Sequence, residues 1–308
     1  MRILAALSLF STLACAAAPA PAPASPPRPA QGPPAAPFRS RSFTVKVIGA
    51  GRPVIFIPGL ACDGSVWDAT IKHLTGAPLA GKVQAHVITL AGFAGSAPLD
   101  GEPLLPTAKA ELIAYIQRNH LERPVLVGHS LGGFLAYWIA ETAPALIGGA
   151  VAVDGAPNLG TLMDPTATAE VIRARAEAFT GPMAAMPPEQ FRAAIQGFLG
   201  RSIANPADAA RLGAAASRSD PRTVSGAMLF LFTTDLRPEL AKIQAPVLVV
   251  AADTDGEVPR GPLEASWHAQ IDAIPRHEIV FVEHSKHFVM LDQPAAFQAN
   301  LDRFLTEK

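Results

Sequence analysis

Two uninterrupted apolar runs, Val54-Ile55-Phe56-Ile57 and Val247-Leu248-Val249-Val250, constrain this chain more than any other feature. A strand with one wet face alternates apolar and polar residues. A run with no polar position is dry on both faces, and helices must supply the cover. Further strand-like runs at Phe43–Ile48, Val83–Leu90, Pro124–Val127, Gly149–Val153 and Glu278–Val282 alternate with helical patterns. Those patterns lie at Ser65–Leu74, Thr107–Asn119, Leu131–Thr142, Leu263–Ile274 and Ala295–Leu305. The alternation predicts an α/β fold built on a mostly parallel, doubly wound sheet.

One interval breaks it. From about 156 to 242 no strand is predicted, and the gap far exceeds an ordinary connection. Helices are expected near Ala167–Phe179, Pro188–Leu199, Asp208–Ser217 and Thr223–Leu231. Such an insertion between core strands is expected to act as a lid over a pocket. Met163, Met183, Met186, Phe191, Phe198, Met228, Leu229 and Phe232 either line that pocket or pack the insertion's own core. Packing is the usual role of apolar residues at helical spacing.

The amino end reads differently. Met1 and Arg2 give a positive start, Ile3 to Ala14 an apolar run, and alanines around Cys15 supply small residues for cleavage. This layout predicts a secretory signal over 1–18, followed by a Pro/Ala-rich linker over 19–37 and a folded domain over 38–308. The expected location is the bacterial periplasm or the exterior. Acylation of Cys15 is the alternative fate of the leader, although Thr12 stands where a lipobox carries a larger aliphatic residue. Membrane contact is expected only in that case. Cys15 and Cys62 are the two cysteines, so the folded domain is expected to hold no internal disulfide. A formal net charge of −1 offers no basic field for nucleic acid.

Chemistry concentrates at Gly128-His129-Ser130-Leu131-Gly132, directly after one apolar run and directly before a helical pattern. In a strand–turn–helix context, G-x-S-x-G presents a serine on a sharp turn whose flanking positions must lack bulk. The helix that follows aims free amides at the same point, where negative charge develops during acyl transfer. Ser130 is therefore the candidate nucleophile, with His129 read as a support for the turn.

On these residues the chain after Pro37 resembles the α/β-hydrolase superfamily. Pro58-Gly59-Leu60 with downstream Trp67 resembles that family's His-Gly-x loop, and the resemblance implies main-chain N–H groups of Leu60 and Leu131 as the oxyanion hole. Leu90 to Ser96 resembles a D-x-x-G-x-G-x-S turn without its acid, and it is given no catalytic role. His287 lies in Glu283 to Pro294, similar to G-H-x-x-x-x-E-x-P, with Lys286 for Gly and Asp292 for Glu. The resemblance implies His287 as the base, with His284 as competitor. Asp253-Thr254-Asp255-Gly256-Glu257-Val258-Pro259 resembles the family's D-x-x-V-P ending and selects Asp255 as the acid. Asp253 and Asp154, the latter ending the preceding strand, stay as rivals. The order Ser130, Asp255, His287 is the order this fold implies.

The expectation is a serine hydrolase acting on a carboxylic ester of small size through an acyl-enzyme. Amide, peptide and lactone hydrolysis and acyl transfer use the same groups. A non-catalytic binding protein on this scaffold is the reading from another class. Glu170, Glu177 and Glu189 are the acids that would favour a peptidase, if any met a substrate amine. No organic cofactor is implied, and no metal, because no H-E-x-x-H spacing occurs.

Overall fold

The computed structural model describes residues 39–76, 79–254 and 257–306. The leader and linker expected over 1–37 therefore lie outside the described residues, and so does Asp255.

Seven strands form one sheet in the order β1-β3-β2-β4-β5-β6-β7. They are β1 Phe43–Gly49, β2 Arg52–Ile57, β3 Val83–Leu90, β4 Val125–His129, β5 Gly149–Val153, β6 Val247–Asp253 and β7 His277–Glu283. Only β1 runs antiparallel, against β3. The remaining neighbours are parallel. Val54 through Ile57 are all buried, as are Val247 through Val250, so both faces of the central strands are covered. The dry runs in the sequence thus become the middle of the sheet, as parallel pairing requires.

Helices α1 Asp68–Thr75, α2 Leu104–Arg118 and α3 Leu131–Thr142 connect the first strands. The insertion between β5 and β6 holds α4 Leu159–Met163, α5 Ala169–Ala184, α6 Pro188–Ser202, α7 Pro206–Ala216 and α8 Pro221–Thr233. Then follow α9 Arg260–Ile271, α10 Val289–Asp292 and α11 Pro294–Thr306. Because β2, β4, β5, β6 and β7 are parallel, the loops after them meet at one edge of the sheet. In open α/β sheets that edge is where ligands bind.

The insertion's helices begin where the sequence supplies caps. Asn158, Asn205 and Asp220 each accept a hydrogen bond from an amide of the following first turn, and α6, α7 and α8 open with proline. Within the insertion, α5 packs on α8 and α6 on α7. Polar bonds anchor it to the sheet domain. Ser219 Oγ donates to the Ala61 carbonyl at 3.1 Å and accepts from the Ala94 amide at 2.8 Å. The Asp220 amide donates to the Gly92 carbonyl at 2.7 Å. The turn over 90–96, which lacks its family acid, thus serves as a seat for the insertion. Asp292 is a second anchor, accepting from the Ala204 amide at 2.8 Å and the Lys286 amide at 2.9 Å.

The chain's entry into β1 is held by Glu111 on α2. Its carboxylate accepts from Ser40 Oγ (2.6 Å), Ser42 Oγ (2.7 Å), the Arg41 amide (2.9 Å) and the Ser42 amide (3.0 Å). Burial works to raise this carboxyl's pKa, but the four hydrogen bonds outweigh it and bring the value down to about 2. A depressed acid stabilises the fold fully above its unfolded value and loses that contribution as pH falls toward the folded one. Glu111→Gln is expected to cost about 1–3 kcal/mol at neutral pH. In urea unfolding the gap to wild type should close as pH drops from about 4.5 toward 2; a gap independent of pH would contradict this account.

Candidate active site

Ser130 sits between β4 and α3 with φ 52° and ψ −114°, a backbone conformation that L-residues seldom adopt. Neighbouring backbone holds it there. Its amide donates to the Val153 carbonyl at 2.8 Å, and its carbonyl accepts from the Phe134 amide at 3.0 Å. A Cβ on Gly128 would lie 2.0 Å from the Gly132 carbonyl oxygen, and one on Gly132 would lie 2.2 Å from that of Ile57. The glycines of the motif are therefore there for close backbone approach. Gly155 belongs with them: a Cβ on it would lie 2.6 Å from the Ser130 carbonyl oxygen.

His287 lies on the loop after β7, and its Nδ1 is 2.7 Å from Asp154 Oδ2. The carboxylate is fixed at its other end by the Ala252 amide, which donates to Oδ1 at 3.0 Å. Asp154 turns the chain off the end of β5 with φ 47°, a conformation aspartate tolerates better than most residues. The rival Asp253 faces another way, its Oδ2 3.1 Å from the Arg260 guanidinium. Asp255, the acid expected from the D-x-x-V-P resemblance, lies outside the described residues; among those described, the carboxylate that meets the histidine is that of Asp154. His284, the competing base, is exposed on the turn leaving β7 and does not line the cavity described below.

His129 is fully buried directly before the serine, and its Nε2–H donates to the His287 carbonyl at 2.9 Å. Since a carbonyl only accepts, the proton must be on Nε2, which leaves Nδ1 as a lone pair with no partner. That lone pair lies 2.6 Å from where a Gly59 Cβ would stand. The ring thus touches the loop after β2, the serine turn and the histidine loop. Burial, and then the neighbouring His287, hold its pKa well below the ordinary histidine value, so it stays neutral.

Leu60 and Leu131 flank this arrangement, and no protein group accepts from either amide among the described residues. Leu131 opens α3, whose first amides have no partner within the helix. Ser130, His287, Asp154, Leu60 and Leu131 all line one cavity of about 460 Å³. Its remaining wall is mostly apolar and comes largely from the insertion, including Leu159, Met163, Phe179, Phe198, Met228 and Phe232. Four of the eight insertion residues singled out in the sequence, Met163, Phe198, Met228 and Phe232, therefore face it. Phe191 is buried in the core instead, with Met183 and Met186 packed against that core.

Comparison with known proteins identifies the family. The model of the alpha/beta hydrolase family matches residues 54–299, most of the chain. The chain belongs to that family. Among curated relatives, the pimeloyl-[acyl-carrier protein] methyl ester esterase of Vibrio atlanticus is 25% identical over 265 residues, covering 84% of this chain and 96% of that protein. A hydrolase from Pseudomonas aeruginosa superposes with a TM-score of 0.69 at 21% identity, over 86% of this chain and 94% of the other. The enol-lactonase of Burkholderia xenovorans superposes with a TM-score of 0.67 at 18% identity, over 86% and 96%. These two likenesses concern the fold.

Within this alpha/beta hydrolase, two features escaped the sequence reading. Gly155 follows Asp154 directly, and a glycine after a strand-terminal aspartate was the available signal. The bond from His129 to the His287 backbone had none, because it joins residues far apart in the chain. His129 is thereby a positioning residue for His287. Replacing it by Leu is expected to lower kcat by about 10²-fold with KM little changed. His129→Gln, which keeps an N–H donor, should restore part of the loss. Equal kcat for the two variants would show that the hydrogen bond does not position the histidine.

Proposed function

We propose that this protein hydrolyses carboxylic esters with an apolar acyl or alkyl part, using Ser130 as nucleophile, His287 as base and Asp154 as the orienting acid. The observation that carries the reading is the 2.7 Å bond between His287 Nδ1 and Asp154, in a cavity that Ser130 also lines. Nδ1–H donates to the carboxylate, which leaves Nε2 as the lone pair that takes the serine proton. Ser130 Oγ adds to the ester carbonyl, and the oxyanion is met by the amides of Leu60 and Leu131. Collapse of that intermediate breaks the C–O bond as His287 returns the proton to the leaving alcohol. Water, deprotonated by His287, then releases the acid from the acyl-enzyme.

The name of the Vibrio relative, a methyl ester esterase, supports the choice of an ester. The cavity supports an apolar substrate, because among the described residues lining it Asp154, His129 and His287 are the ionisable ones. None holds a fixed positive charge for a substrate carboxylate. Glu170, Glu177 and Glu189, which would have favoured a peptidase, are absent from its wall. Glu177 and Glu189 face Arg173 and Arg192 on their own helices.

The helices over 159–233 act as the lid in this reading, and they supply the acyl-binding wall. Met163 is 70% exposed and Phe179 57% exposed although both line the cavity, so its mouth is apolar as well. The export reading rests on the layout of residues 1–18 alone; cell fractionation that finds the full-length protein in the cytosol would contradict it.

A fluorophosphonate probe is expected to label the wild type and not Ser130→Ala, with kcat on p-nitrophenyl esters falling on the order of 10⁴-fold or more in that variant. Equal labelling would remove the serine mechanism and favour a binding protein on this scaffold. With p-nitrophenyl esters of increasing acyl length, kcat/KM should rise from acetate, by up to about 0.8 kcal/mol per buried methylene. Phe179→Ser should blunt that rise and leave acetate unaffected. A flat series in the wild type would contradict an acyl-binding lid.

A further inference from the structure

Away from the cavity, the junction of α9 and β7 gathers three side chains from one short stretch of the sequence. We propose that His268, Asp272 and His277 bind a divalent transition-metal ion, with zinc the best match, and that the ion clamps α9 to the edge strand of the sheet. His268 lies in the last turn of α9, and Asp272 is the residue capping that helix. Four residues apart, they share one face. His277 opens β7, the last strand in the sheet order, after a short turn. One ligand atom from each residue lies within 4.8 Å of the others.

The protonation pattern is the observation that points to a cation. His277 Nδ1 is 2.7 Å from the Ile274 carbonyl, which only accepts, so Nδ1 carries the proton. Its Nε2 faces Asp272 Oδ1 at 3.4 Å, longer than the roughly 2.7–3.2 Å of an N–H···O hydrogen bond. With the ring neutral, that nitrogen is a lone pair, and it and the carboxylate oxygen repel unless a cation lies between them. The separation matches the spacing of about 3.3 Å between ligands of a tetrahedral ion with bonds near 2.0–2.1 Å. A backbone carbonyl holding the far nitrogen of a histidine is also the usual outer support for a metal ligand.

His268 Nδ1 completes the set at 2.7 Å from the same oxygen. Its ring is half exposed, so transfer of its proton to Nε2 and a small rotation cost little. Two imidazoles and one carboxylate suit zinc, nickel or copper rather than magnesium or calcium. The exposure of His268 and Asp272 leaves water to fill the remaining position.

The position gives the ion a structural role. Trp267, next to His268, lines the cavity, and Gln270 accepts from the Asn158 amide at 3.1 Å and donates to Thr161 Oγ1 at 3.0 Å, holding the start of the insertion. β7 leads directly into the loop of His287. An ion here ties these two supports together without touching the reacting atoms.

The test uses the untagged full chain, stripped with chelator and titrated with zinc by calorimetry, with thermal unfolding and cobalt absorption as further readouts. We expect saturable binding of one ion per chain, a rise in Tm, and visible cobalt bands of a four-coordinate site. His268→Gln and His277→Gln should lose all three, and His268→Gln should keep the Tm of the metal-free wild type. Saturable binding that survives in both variants would overturn the proposal. So would a wild type that shows no metal-dependent shift in Tm, because a proton alone would then bridge His277 and Asp272. Since His268→Gln alters a half-exposed side chain, its fold is not at risk, and its result stands by itself.

Discussion

Everything at the active edge depends on backbone meeting backbone around Ser130. The serine is held at a positive φ by bonds to Val153 and Phe134, and the space around it leaves no room for a Cβ at Gly128, Gly132 or Gly155. This approach lets α3 start directly against the ends of β2 and β5. The same approach brings the amide of Leu131, the loop of Gly59 and the carboxylate of Asp154 to one cavity. The strain at Ser130 is a cost of order 1–3 kcal/mol that the surrounding sheet over-determines. A side chain at any of the three glycines would push apart elements that have no slack.

Much of this was legible in the sequence because parallel sheets write themselves plainly. Dry runs such as Val247 to Val250 have few other uses, and all seven expected strands form. The serine turn was legible because glycine has a specific steric reason at each flank. The acid was not. Asp154 follows β5, while Asp253 ends and Asp255 follows its parallel neighbour β6, and the ends of such strands lie about 4.8 Å apart. A carboxylate from either strand can therefore reach a histidine above them, and residue type alone does not choose.

Strand length does choose between the first two. β5 leaves the sheet after Val153, so Asp154 turns inward toward His287. β6 stays paired with β7 as far as Asp253, opposite Glu283, and that carboxylate is carried past the site toward Arg260. Likewise no local pattern told Phe191, which packs, from Phe198, which lines the cavity. Both sit on α6, and only the folded surroundings, core for one and cavity for the other, separate their roles.

The insertion makes the site from a scaffold. Without it the sheet edge would hold a serine, a histidine and an aspartate in open water; with it they lie at the floor of an apolar cavity. Its attachment includes polar bonds through Ser219, Asp220 and Asp292 beside the packing of Phe230 on Phe134 and Trp138, while its inner wall is apolar. The polar bonds that seat the insertion thus lie apart from its apolar cavity wall.

The central claim is that Asp154 orients His287. It is tested most directly by comparing Asp154→Asn with Asp255→Asn in ester hydrolysis. The account predicts a fall in kcat on the order of 10⁴-fold for Asp154→Asn, whose amide would favour the wrong imidazole tautomer, and near wild-type rates for Asp255→Asn. The reverse pattern would contradict it.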